Sequence, residues 1–382
     1  MNNRWSILAL LFLVRLMMAF QFQAVAALSP FLVESFALGL ADIGLLIGVF
    51  LAPGVIVAIP GGAIAARLGD KRVVCAALLM MLAGGVITAL SSDWYLLVLS
   101  RVLAGVGGVL LNVVSTKMLV DWFAGREIAT AMAIFVNSWP IGIALALLVL
   151  PPAAEMGGIT FAWWIVVAMI AASLVFYAAL YRAPAGLQEV SASLKVTKLP
   201  TYPLTLAGLI WAFYNTGLAM VFSFGPALFV QKGWDAADAA GIISAFMIFF
   251  SLALPIGGLI ADRIGARDAV IFTSMLSFVV LIPVVLFGPA ALTIPSFLVV
   301  AVLFSFAAGP VMTLPSAVLS PEMRAFGMGV FFSIYYGVMM IAPRIAGSLA
   351  DASGDVSTAL LCGVAAALAC IAALWLFRRN TV

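Results

Sequence analysis

The chain is a succession of apolar stretches, each long enough to cross a lipid bilayer, separated by short polar breaks. A helix needs roughly 20 apolar residues for that crossing. Twelve stretches qualify: 5–28, 41–65, 73–91, 95–119, 127–150, 160–181, 203–230, 238–261, 269–288, 294–319, 325–350 and 357–377. Backbone immersed in lipid must satisfy its own hydrogen bonds, which leaves helices or closed barrels. The ten-residue alternation of a barrel strand is absent here. The expected fold is therefore an all-α polytopic membrane protein. Of 382 residues, 66% are hydrophobic and 9% charged, whereas a soluble domain carries about 25% charge. The net charge of +3 gives no reason to expect a nucleic-acid partner, and the absence of histidine excludes imidazole chemistry. Cys75, Cys362 and Cys370 lie in apolar runs without metal or redox spacing. No metal, cofactor or catalytic set is expected. The first run, with Arg4 before it and Ala24-Val25-Ala26 near its end, has the outline of a secretory signal. Arg15 interrupts it, and it is read as an uncleaved first span.

The basic residues fix an expected topology. Arg4, Arg67, Lys71, Arg72, Arg126, Arg182, Lys195, Lys198, Arg263, Arg267, Arg324, Arg378 and Arg379 all fall on one side of the twelve-span arrangement, and Lys232 alone on the other. Positive loops stay cytoplasmic, so both termini are expected inside, in a bacterial-type inner membrane. The polar stretch 183–200 reads as a cytoplasmic linker between an N-terminal half, 1–182, and a C-terminal half, 201–382. The halves repeat each other. The hairpin Gly257–Arg267 echoes Gly61–Arg72, about 196 positions earlier, and Asp42/Asp238 and Glu155/Asp351 are each 196 apart. Parallel halves of this kind place a substrate site between them near mid-membrane.

The second hairpin copy, with Gly258, Asp262, Arg263, Gly265 and Arg267, resembles the G-x-L-A-D-R-x-G-R-R signature of the major facilitator superfamily. Arg101, Gly105 and Gly107 match a second motif of that family, R-x-x-x-G-x-G. The resemblance covers the whole chain. It implies twelve helices in two pseudo-symmetric six-helix halves and transport by alternating access. It also implies a latch role for the five hairpin residues and a conformational or proton-coupling role for Arg101. The first copy departs from the signature, with Ala66 where the family has Asp, and there the charges read as simple topogenic signals.

Charges within the spans carry the functional expectation, because a charge at mid-bilayer costs about 2.5–3.5 kcal/mol on insertion scales. Arg15, Arg101, Lys117 and Arg344 lie within spans, and no Asp or Glu lies deep in any. Arg15 is expected to hold a substrate's negative group, the alternative being a buried guanidinium bonded to backbone carbonyls. A mid-span arginine in the first helix is also similar to that of cyanate-permease-type and organic-anion porters. Arg344 has two readings: the second half of an anion clamp with Arg15, or a surface pair with Asp351. Arg101 reads as a packing and gating residue near Asp93 or Asp42. Lys117 reads as a snorkelling lysine with a possible cavity role. Gln21, Gln23, Asn137, Tyr214, Asn215, Tyr335 and Tyr336 are polar groups able to orient a ligand, and Pro140 is expected to free a carbonyl there. The expected function is secondary transport of a small organic or inorganic anion by a monomer in the lipid bilayer, coupled to protons or a counter-anion. The alternative is an exporter of amphipathic drugs or neutral metabolites, for which 17 methionines would supply an adaptable wall.

Overall fold

The computed structural model describes residues 3–91, 93–123, 128–182, 200–319 and 324–379. The expected linker, 183–200, lies outside them except for Pro200. Among the described residues the chain is helical, without strands. The first half contains α1 (Arg4–Ala27), α2 (Ser29–Phe36), α3 (Leu40–Leu51), α4 (Gly54–Val57), α5 (Gly61–Leu68), α6 (Asp70–Leu90), α7 (Trp94–Phe123) and α8 (Ile128–Leu180). The second contains α9 (Thr201–Gln231), α10 (Ala236–Ile264), α11 (Arg267–Phe287), α12 (Ala290–Ser305), α13 (Ala308–Met312), α14 (Leu314–Val318), α15 (Arg324–Ser353) and α16 (Ser357–Arg379).

These segments make twelve crossings. α8 is two of them, folded at Gly158, whose φ of 79° is a conformation that glycine adopts without strain. α3, α4 and α5 form one broken crossing, with Pro53 and Pro60 at the breaks, where a missing N–H cannot extend the ladder. α12, α13 and α14 form another. Both expected helices over 41–65 and 294–319 are thus interrupted rather than continuous.

The duplication is visible in the backbone. Among the described residues six have positive φ, and they fall into three pairs 196 apart: Ala37 and Gly233, Gly69 and Gly265, Gly158 and Gly354. Each half also ties the helix after its hairpin to its last helix. Lys71 Nζ donates to the carbonyl of Tyr181 at 2.9 Å, and Arg378 pairs with Asp268 at 2.6 Å. In the second hairpin Gly265 ends α10 in the left-handed region, Arg263 is exposed in the last turn, and Arg267 opens α11. Gly257 and Gly258 of this hairpin differ in how closely a neighbouring helix approaches them. Gly257 meets it directly, since a Cβ there would overlap the backbone of Phe306, whereas a Cβ on Gly258 would meet nothing within 4 Å. The side chain of Asp262 lies outside the described residues.

The halves join at the face opposite the chain termini, here called the distal face. α3 lies against α15 through glycines: a Cβ on Gly44 would overlap the carbonyl of Pro343, on Gly48 that of Met340, and on Gly347 that of Leu40. Small residues allow such backbone approach in membranes. At the distal end the Asp351 carboxylate, from α15, accepts hydrogen bonds from Leu40 N and Ala41 N at 2.8 Å each. A carboxylate at a helix start satisfies orphan N–H groups and meets the positive end of the dipole. Here it does so across the two halves. Further in, Gln23 Nε2 donates to the carbonyl of Phe222 at 2.7 Å, and Ser244 Oγ to that of Ala144 at 3.0 Å.

Candidate functional site: an arginine among aromatic rings

α1 carries Arg15 at mid-length, and the bends of its neighbours decide what it meets. In α8, Pro140 has no N–H, so the carbonyl four residues earlier, that of Val136, loses its helical donor. Arg15 Nη1 donates to this oxygen at 3.1 Å, to the carbonyl of Phe135 at 2.9 Å and to Ser138 Oγ at 3.1 Å. Arg15 Nε donates to Asn112 Oδ1 on α7 at 2.9 Å. The guanidinium carbon stands 4.8 Å from the ring centre of Phe135 and 6.0 Å from that of Trp139. Cations are attracted to such ring faces. Nε and Nη1 are therefore committed, and Nη2 has no hydrogen-bond partner among the described residues.

The second half closes the site with aromatic groups. Asn112 Nδ2 faces the hydroxyl of Tyr336 at 3.4 Å. The rings of Tyr335 and Tyr336 are 5.0 Å apart, and Trp211 lies 6.2 Å from Tyr335. The 196-residue offset places Trp211 opposite Arg15, Tyr335 opposite Trp139 and Tyr336 opposite Pro140. One wall of the site is cationic and its counterpart aromatic. The other span cations of the first half also lack a charged counterpart: Arg101 has Phe297 and Lys117 has Thr313.

The other expected site residues lie elsewhere. Arg101 is 2% exposed, and its three nitrogens donate to the carbonyls of Leu46, Gln21 and Phe22 at 3.0–3.1 Å. Phe50 lies 4.6 Å from its guanidinium carbon. It meets neither Asp93 nor Asp42; it ties α7 to α1 and α3. Lys117 is not a bare cavity cation, because Asp70 at 3.0 Å and Asp121 at 3.1 Å both pair with it. Asp121 sits one turn on along the same helix, and α6 brings Asp70 in from the hairpin. Arg344 lies two helical turns, about 12 Å, beyond Tyr336, where it faces Asp42 at 3.9 Å and the Ala41 carbonyl at 3.5 Å. The surface-pair reading is thus nearer to the structure than the clamp, with Asp42 in place of Asp351. Asn137 accepts from Ser251 Oγ at 3.0 Å and joins α8 to α10. Tyr214 is buried in the second half, stacked on Phe304 at 4.7 Å and on Trp211 at 5.6 Å. Gln23 is buried at the seam. Among the described residues no cluster of three or more metal-ligating side chains occurs. Asn112 and Trp211 are not among the residues expected from the sequence; the repeat offset applied to Arg15 points to Trp211.

A family model described as Major Facilitator Superfamily matches residues 11–343 and 207–382. The 3-(3-hydroxy-phenyl)propionate transporter of Escherichia coli (strain K12) is 28% identical, covering 90% of this chain and 86% of the relative. The hexuronate transporter of Bacillus subtilis (strain 168) is 23% identical over 99% of this chain and 94% of the relative. Among solved structures, a bacterial homolog of the human lysosomal transporter Spinster, in an inward-facing and occupied conformation, aligns with a TM-score of 0.82. It shares 16% identity over 99% of this chain and 97% of that one. A point mutant of the nucleoside transporter NupG aligns with a TM-score of 0.80 at 16% identity, over 98% of this chain and 100% of that one. With twelve helical crossings in two repeated halves and a family match over most of its length, the chain belongs to the major facilitator superfamily and is a multi-pass membrane transporter, not an enzyme.

Proposed function

We propose that this transporter carries a small organic anion of single charge with a flat apolar body, by alternating access, and that Arg15 holds the charge. The observation behind this is the uncommitted Nη2 edge of Arg15, which stands among aromatic side chains with no carboxylate beside it among the described residues. A guanidinium in that setting gains most from an anion that pairs with it. The remaining cations within the spans are engaged: Arg101 by three carbonyls, Lys117 by two carboxylates, Arg344 by Asp42. One available guanidinium suits one negative charge. The two curated relatives are named for organic acids, one aromatic and one a sugar acid. The rings of Trp139, Trp211 and Tyr335 favour a flat apolar body over a polyhydroxylated one. The basic residues at the terminal face support cytoplasmic termini in a bacterial inner membrane, with residues 183–200 connecting the halves. The driving partner is then a proton or a counter-anion.

The test is uptake into proteoliposomes with 3-phenylpropionate as the probe and its neutral amide as control. Arg15→Ala is expected to abolish uptake of the acid, with folded protein still recovered. Equal uptake of acid and amide, or normal uptake by Arg15→Ala, sinks the anion reading and favours export of neutral amphipaths.

A further inference from the structure

A transporter of this design needs its substrate to touch both halves. A ligand held by one half alone makes the same contacts in every arrangement of the two, and a ligand with equal affinity for two states shifts neither. Arg15, Asn112, Phe135 and Trp139 all belong to the first half. The second half must supply a partner, and the arginine expected to do so, Arg344, is about 12 Å further along α15.

We infer that Tyr336 is the second-half ligand of the anion: its hydroxyl and Nη2 of Arg15 hold the two oxygens of one carboxylate. The inference rests on the reading of Arg15 as the anion's partner. Three observations carry it. First, Asn112 links the two groups, accepting from Arg15 at 2.9 Å and facing the Tyr336 hydroxyl at 3.4 Å. The second distance is long for a hydrogen bond, whose usual range ends near 3.2 Å, so the phenol is placed but not held. Second, the Tyr336 ring is 5% exposed and rests on Gly54 so closely that a Cβ on Gly54 would overlap it. Gly54 opens α4 just after the break at Pro53. The phenol is therefore fixed by its ring and adjustable only at its hydroxyl. Third, a phenol both donates and accepts. It can accept from Asn112 while donating to a carboxylate, so the anion completes the chain Arg15–Asn112–Tyr336 into a closed ring of hydrogen bonds spanning the two halves. Through Gly54 the same residue touches the broken crossing α3–α4, whose distal end carries the seam with α15. Substrate binding thereby bears directly on the helix that opens and closes that face.

Tyr336→Phe keeps the ring against Gly54 and removes only the hydroxyl. It is measured beside Tyr335→Phe and Arg15→Ala, by quenching of tryptophan fluorescence with 3-phenylpropionate and by proteoliposome uptake. A hydrogen bond to a charged group corresponds to a change of about tenfold or more in affinity. Tyr336→Phe is expected to raise both Kd and the KM of uptake by about that factor, Tyr335→Phe by much less, and Arg15→Ala to abolish binding. Wild-type affinity and uptake in Tyr336→Phe, with binding lost in Arg15→Ala, overturns the inference and leaves the Arg15 reading intact. A loss confined to Tyr335→Phe also overturns it. Normal binding in Arg15→Ala, or no binding of the probe by the wild-type protein, counts against the underlying reading and removes the inference with it.

Discussion

Two arginines in the spans of the first half illustrate what a buried guanidinium can be for. Arg101 spends every nitrogen on a backbone carbonyl, from Leu46, Gln21 and Phe22, and so works as a tie between α1, α3 and α7. Arg15 spends Nε on the Asn112 side chain and Nη1 on two carbonyls and the Ser138 hydroxyl, and keeps the third nitrogen. Arg101→Met removes three charge-assisted hydrogen bonds to helix carbonyls, each contributing about 1.5–3 kcal/mol. Its expected signature is a fall of several degrees in the thermal midpoint of the detergent-solubilised protein, whatever substrate is present. Arg15→Ala leaves the Val136 carbonyl without a donor and is expected to lower that midpoint as well, but it alone is expected to abolish the upward shift that the probe anion gives to the wild type by mass action. Equal midpoints in Arg101→Met and the wild type would refute the tie. The sequence showed both arginines as misplaced charges but not their difference, because carbonyls freed by a proline or met at a crossing belong to neighbouring helices. Lys117 shows the same limit: Asp121 lies one helical turn on in the sequence, whereas Asp70 arrives only through packing of α6 against α7.

At the scale of an element, Pro140 and the glycines of α3 set geometry that no charged residue sets. Pro140 frees the Val136 carbonyl, which accepts from Arg15. Pro140→Ala restores an N–H that reclaims this oxygen, so Arg15 loses an anchor. The expected result is a severalfold higher KM for uptake with little change in maximal rate; an unchanged KM would show that the anchor is not needed. In the seam, Gly44 and Gly48 face carbonyls of α15 across the halves. Gly48→Leu is expected to hold the distal ends apart, seen as faster modification of a cysteine placed at Leu45 than in the otherwise wild-type background. Asp351→Ala is expected to act in the same direction by uncapping Leu40 and Ala41, with faster hydrogen exchange at those two amides. Exchange at the wild-type rate would mean the cap adds nothing to closure. The small residues of α3 were legible as a pattern, but their partners were not, since helical periodicity fixes a face and not the helix that meets it.

For the whole molecule, the duplication was the most legible feature. The hairpins, the paired acids and the glycine turns all recur at one offset, and the three pairs of positive-φ residues show that the copies share a backbone as well as a pattern. Their side chains do not match where function is concerned. Positions 15 and 211 hold arginine and tryptophan, and positions 101 and 297 hold arginine and phenylalanine. That mismatch has a historical consequence. Had the six-helix unit once paired with an identical copy, the two-fold axis would have set position 15 against itself, arginine facing arginine or ring facing ring. A pair of identical genes' products cannot grip one end of a molecule by charge and the other by a flat surface at equivalent positions. Only once the unit existed as two coding copies could the equivalents mutate independently. A binding site with a head and a tail is what duplication made possible.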